Sequence, residues 1–110
     1  MTRQRTGRGP LAVSLHDSGA GHPRLSVGDG HGLVVVLPVP VGALPRVRHH
    51  LADPGTGGAC DVELLDDRGE VASRWGSVAR PGEAAALALA LVAADRTLAR
   101  ARVVPVGGGG

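Results

Sequence analysis

Apolar and polar residues alternate with period two through much of the first half of the chain. Leu11, Val13 and Leu15 interleave with Ala12, Ser14 and His16, the signature of a half-buried strand over Leu11–His16. A turn at Asp17-Ser18-Gly19-Ala20-Gly21 follows, and Arg24–Val27 resumes the pattern with Leu25 and Val27 on one face. Gly28-Asp29-Gly30-His31-Gly32 marks a second reversal. Leu33–Leu37 is an uninterrupted apolar run, the pattern of a central strand. The three segments predict an antiparallel meander.

Pro38 and Pro40 constrain the third strand. Positions two apart turn their N–H groups to the same edge, so these prolines delete two donors from one side. Beyond Leu37 the strand must reach a sheet edge or leave the sheet. Leu44–Ala52 reads as a short helix, with Pro45 in its first turn and Leu44, Val47 and Leu51 on one face. A glycine-rich loop covers 53–58. Cys60, Val62 and Leu64 then alternate with Asp61 and Glu63, Asp66-Asp67-Arg68-Gly69 reads as a hairpin turn, and Glu70–Val78 returns with Val71, Ser73 and Trp75 on one face.

The stretch Glu83–Arg102 predicts a long C-terminal helix. Pro81 suits the first helical position, Glu83 faces the positive end of the dipole, and Ala84 to Ala94 holds only Ala, Leu and Val. Leu87, Leu91 and Leu98 fall on one stripe, whereas Leu89 and Val92 fall off it, which implies a helix start buried within the chain or, alternatively, a contact with a second chain. Arg96 and Arg100 stand four apart on the far side. The expected fold class is α+β: a small antiparallel sheet, order β-β-β-(short α)-β-β-α, with the long helix packed on one face. Residues 11–106 form one domain in this reading, between a disordered basic arm at 1–10 and a flexible glycine tail at 107–110. The apolar run 84–94 spans 11 residues, short of the roughly 20 that cross a bilayer, so no membrane association is expected.

Composition narrows the core. The 110 residues include 13 Leu and 15 Val but no Phe, Tyr or Ile and a single Trp. The core must therefore be aliphatic, with Ala allowing close backbone approach. Lys and Asn are also absent and all 12 basic residues are Arg. These missing types have AT-rich codons, so a GC-rich genome accounts for the arginine excess without a functional cause. The formal charge of +2 is uneven. Arg3, Arg5 and Arg8 occupy the first ten residues, and the remainder sets 9 Arg against 10 acidic residues. A near-neutral body is unlike a dedicated DNA-binding domain. The single Cys60 excludes an internal disulfide framework and a thiolate-rich zinc site, and no apolar signal-peptide core follows the basic start. A cytoplasmic location is the expectation.

No motif here forces a chemistry. His16-Asp17-Ser18 holds triad residue types, but adjacent strand residues diverge and no nucleophile elbow surrounds Ser18. Gly28-Asp29-Gly30-His31-Gly32 lacks the dinucleotide spacing and precedes a strand where a helix would be needed. His49 and His50 are neighbours that splay apart on a helix. Cys60, in phase with Val62 and Leu64, reads as a core residue, and Trp75 as core or as a recognition anchor. No catalytic, cofactor or metal site is assigned. The strand–turn–strand–helix order of residues 60–102 resembles small α+β dimerisation modules of the roadblock type in element order alone, and no residue role follows from that.

Three functional expectations result. The first is a non-enzymatic interaction or accessory protein, binding a protein partner or itself as a homodimer through Leu89, Val92, Arg96, Arg100 and Trp75. The second is weak nucleic-acid association, with Arg3, Arg5, Arg8, Arg46 and Arg48 as phosphate contacts. The third is a small-molecule or enzymatic site assembled from loops 17–23, 28–32 and 53–58.

Overall fold

A computed structural model describes residues 10–17, 22–53 and 55–106. The fold is α+β, with two small antiparallel sheets and two helices. The first sheet is the expected meander. Strands β1 (Ala12–His16), β2 (Arg24–Gly28) and β3 (Val34–Pro38) lie in the order β1-β2-β3. Val13, Leu25 and Val27 are buried on its inner face, joined by half-buried Leu15, Val35 and Leu37. The opposite face carries Ala12, Ser14 and His16, then Arg24, Ser26 and Gly28, then Val34, Val36 and Pro38, aligned in register. The apolar run 33–37, read as a central strand, is instead an edge strand. Its even positions stay exposed because they lie on the outer face of the sheet, which no layer of the described residues covers.

A short 3-10 turn, Val41–Ala43, leads into α1 (Leu44–Ala52), whose bounds are those the sequence predicts. Its buried Val47 and half-buried Leu44 and Leu51 pack into the core. Strands β4 (Cys60–Asp66) and β5 (Val71–Val78) form a hairpin. Gly69 takes φ +82 in the turn, while the Asp66 carboxylate accepts the Arg68 and Glu70 N–H groups at 2.9 and 3.0 Å. This is the three-residue loop with a left-handed glycine that suits a hairpin twist.

Helix α2 runs Pro81–Ala94, and the expected continuation to Arg102 is wrong. Asp95 is extended. Its carboxylate accepts the Thr97 N–H at 2.9 Å and the Thr97 hydroxyl at 2.6 Å, and its carbonyl accepts the Leu98 N–H at 3.1 Å. That local turn ends the helix, and residues 98–105 become β6 (Leu98–Pro105). The second sheet is therefore three-stranded, order β5-β4-β6, rather than a two-stranded extension of the meander. Arg96 sits in the turn and Arg100 in β6, so the two do not share a helix face.

The two sheets touch at one point. The Leu11 N–H donates to Ser77 O at 2.7 Å, and the Ala79 N–H donates to Leu11 O at 2.8 Å, a single parallel bridge between the β1 and β5 ends. Beyond it they part and α2 lies between them, in contact with α1 and with strands of both sheets. Two devices set this junction. Ser77, at φ 56, is the extra residue of a bulge in β5, and the Asp61 carboxylate holds its N–H at 2.8 Å. Two residues on from the bridge, the Val13 N–H donates to Glu83 Oε1 at 2.8 Å. A side chain from the first turn of α2 thus replaces the strand that β1 lacks on that side. Gly82, Ala84, Ala86, Leu87, Ala88 and Ala90 are buried, and the small residues let α2 sit close to both sheets.

No helix among the described residues is long and apolar enough to cross a membrane. The residues expected to form the basic arm and the glycine tail lie outside the described residues, apart from Pro10.

Candidate interaction surface

Among the described residues, the outer edge of β3 joins unpaired backbone groups to exposed apolar side chains. Its ladder to β2 has a fixed phase. The Val39 N–H donates to Pro23 O at 3.0 Å and the Asp29 N–H donates to Leu33 O at 3.3 Å. These pairs share the register that sets Val35 against Val27 and Leu37 against Leu25. In an antiparallel ladder, hydrogen-bonded and non-bonded positions alternate. Positions 33, 35, 37 and 39 thus turn their backbone groups to β2, and 34, 36 and 38 turn theirs outward. Val34 and Val36 each offer an N–H and a carbonyl along the free edge, whereas Pro38 offers a carbonyl alone. The donor-poor side that the prolines predict is this edge.

The side chains here are apolar and exposed. Val34 is 62% and Val36 56% accessible, with Leu33 at 45% and Val41 at 76%. No charged residue lies within β3. The other outer strands differ: β6 carries Arg100 and Arg102, and β5 carries Arg74 and the Ser77 bulge. Natural edges are normally guarded by such charges, bulges or prolines. On β3 only the Pro38 end is guarded. The preceding turn is ordered by Asp29, whose carboxylate accepts the His31 and Leu33 N–H groups at 2.7 and 3.1 Å. The His31 N–H is the main reason the Asp29 carboxyl is held below its usual range.

The sequence-derived candidates fall elsewhere. Leu89 and Val92 are half-buried and pack against the core, as does Trp75, which stands opposite the fully buried Val62. Arg96 and Arg100 are exposed near the far end of the second sheet. There a shallow groove of about 420 Å³ is lined by Asp66, Asp67, Arg68, Arg96, Thr97 and Ala99, with both signs of charge represented. Arg46 is exposed on α1, and Arg48 of the same helix pairs with Asp17. Arg74 pairs with Asp61 at 2.8 Å and Arg102 with Glu63 at 2.6 Å, each across neighbouring strands. Three of the arginines therefore already have carboxylate partners within the chain. Arg3, Arg5, Arg8 and Ser18 lie outside the described residues, as do parts of loops 17–23 and 53–58.

Cys60 is buried, and its thiol donates to the Gly58 carbonyl at 3.6 Å. His49 and His50 meet edge to face at 5.7 Å. Among the described residues no three His, Cys, Asp or Glu side chains gather at metal-binding distance. The β3 edge itself was missed by residue-level reasoning, although the phase of Pro38 and Pro40 was its signal. No family model matches the chain, and no curated protein or solved structure matches it either.

Proposed function

We propose that this chain is a non-enzymatic protein-interaction module that docks an extended strand on the free edge of β3. The observation that supports this is the coincidence, on one edge, of outward backbone groups at Val34 and Val36 with uncharged, exposed side chains. Strand addition uses both: main-chain hydrogen bonds supply affinity and alternate side chains supply selectivity.

The exposed fractions of Leu33, Val34 and Val36 amount to about one and a half whole side chains. Covering them contributes about 2–5 kcal/mol. Each added backbone hydrogen bond contributes about 0.5–1.5 kcal/mol net. Association costs about 4–15 kcal/mol, so the complex is weak, micromolar or looser, unless the partner adds contacts of its own. That suits a transient module.

The test is an NMR titration with a soluble extended peptide of alternating valine and threonine, with lysines at both ends. Shifts concentrated on residues 33–38 are expected. Shifts confined to the groove beside Arg96, or none at millimolar peptide, would contradict the reading.

A further inference from the structure

The interaction reading leaves open what occupies the edge, and the edge itself narrows the choice. Its two outward N–H donors, at Val34 and Val36, lie symmetrically about Val35. A strand with the same pattern, laid antiparallel, meets each donor with a carbonyl and each carbonyl with a donor. We propose that the occupant is a second copy of this chain, paired antiparallel along β3 with Val34 opposite Val36 of the other copy. This rests on the proposed strand-docking function and assigns its partner.

Alternative registers are poorer. Sliding by two residues toward the C-terminal end sets the Val34 carbonyl against Pro38, which has no N–H to give. Sliding the other way sets Val36 against Gly32, whose φ of +112 is not strand geometry. In the proposed register four backbone hydrogen bonds form, and both donors and both carbonyls of Val34 and Val36 are used on each chain; the register that meets Pro38 also reaches four but leaves both Val34 carbonyls unpaired. Side chains agree on both faces. Outside, Val34 and Val36 of the two copies make a cluster of four valines. Inside, Val35 faces Val35 of the other copy, and half-exposed Leu33 faces half-buried Leu37.

Charge distinguishes the direction. Exposed Arg24 stands beside Pro38 at one end of β3, and Asp29 lies in the turn at the other end. Antiparallel pairing brings the cationic end of each copy to the anionic end of the other, on both sides of the twofold axis. Parallel pairing would set Arg24 against Arg24. The twofold pairing consumes the edge on both chains, so assembly stops at two.

Sedimentation velocity on the intact chain, from about 10 μM to about 1 mM, should show monomer giving way to dimer and nothing larger. Val36→Pro removes an edge-facing donor but leaves the β2 ladder intact and the side chain apolar. It should weaken association at least about tenfold with unchanged circular dichroism. Val36→Lys should do the same through charge. A register probe completes the test. At the central non-bonded pair the Cα atoms of two Val35→Cys copies would lie about 4.5 Å apart, within disulfide range. Val35→Cys should therefore cross-link about tenfold faster than Val34→Cys or Val36→Cys; Cys60, which is 5% exposed, stays unlinked. A monomer at 1 mM, growth past the dimer, full association by Val36→Pro, or equal cross-linking rates would each overturn the proposal. The valine–threonine peptide separates the two readings. A monomer that still binds it on β3 keeps the docking function and loses self-pairing, whereas a monomer that ignores it loses both.

Discussion

Removing the Glu83 carboxylate should cost far more than its place in the first turn of a helix suggests. Its Oε1 accepts the Val13 N–H at 2.8 Å, where β1 has no neighbouring strand. Hydrogen bonds to charged groups contribute about 1.5–3 kcal/mol, and the Val13 N–H would be left in a half-buried site without its partner. Loss of the favourable charge at the α2 N-terminus adds about 0.3–1 kcal/mol. Glu83→Ala should therefore destabilise by about 2–4 kcal/mol, a drop in Tm of about 10 °C or more for a chain of this size. Glu83→Gln keeps an acceptor oxygen and should lose less than half as much. Urea titration followed by Trp75 fluorescence reads both, since Trp75 is the only Trp and packs against the core. If Glu83→Ala costs under about 0.5 kcal/mol, or if Gln costs as much as Ala, the carboxylate does not tie α2 to β1 as described.

Asp61 should set part of the acid stability. Burial works to raise its pKa, but the Ser77 N–H and the Arg74 guanidinium outweigh it and hold the carboxyl below its usual value of 3.8. A lowered folded-state pKa gives stability that is present above the unfolded value and lost as pH falls through the folded one. Stability should thus decline from about pH 4 downward, and Asp61→Asn should flatten that limb, as pH-dependent urea midpoints would show. At Gly57 an added Cβ would lie 2.9 Å from Pro81 Cγ. Gly57→Ala should cost about 1–2 kcal/mol by forcing apart the loop and the start of α2, measured by thermal unfolding; no loss would mean that the contact gives freely. Ala99 is exposed in β6, so Ala99→Thr should be neutral or stabilising by up to about 1 kcal/mol, whereas a helix at that position would lose about 0.5 kcal/mol.

Much of the fold was legible because local pattern and tertiary outcome agree. The meander and the Asp66–Gly69 hairpin carry their own turn residues, and the Leu44–Ala52 helix carries Pro45 in its first turn. Residues 95–105 were not legible in the same way. Ala, Leu and Arg are good helix formers, and Leu98 fits the helical stripe of Leu87 and Leu91, so local propensity favours a longer helix. Pairing with β4 overrides it, from Asp66↔Leu98 to Cys60↔Pro105. The readable signals were the Asp95–Thr97 turn and the alternation of Ala99 and Ala101 with Arg100 and Arg102, ahead of two valines. The candidate surface was half legible. Pro38 and Pro40 disclose a donor-poor edge, but a run of five apolar residues reads as buried on both faces; the uncovered outer face leaves the Val34 and Val36 side chains in solvent, and the strand order leaves their backbone groups unpaired. The Glu83–Val13 bond could not be inferred, since it joins positions 70 residues apart.

The most direct test of the free β3 edge is amide hydrogen exchange at Val34 and Val36, measured by NMR across concentration. At low concentration both amides should exchange as if unprotected, while Val35 and Leu37, bonded to β2, stay slow. As concentration rises into the range where dimers form, Val34 and Val36 should become protected together. Protection at every concentration would mean that the edge is already occupied within the chain. Fast exchange at every concentration, even at millimolar protein, would mean that no second copy docks there.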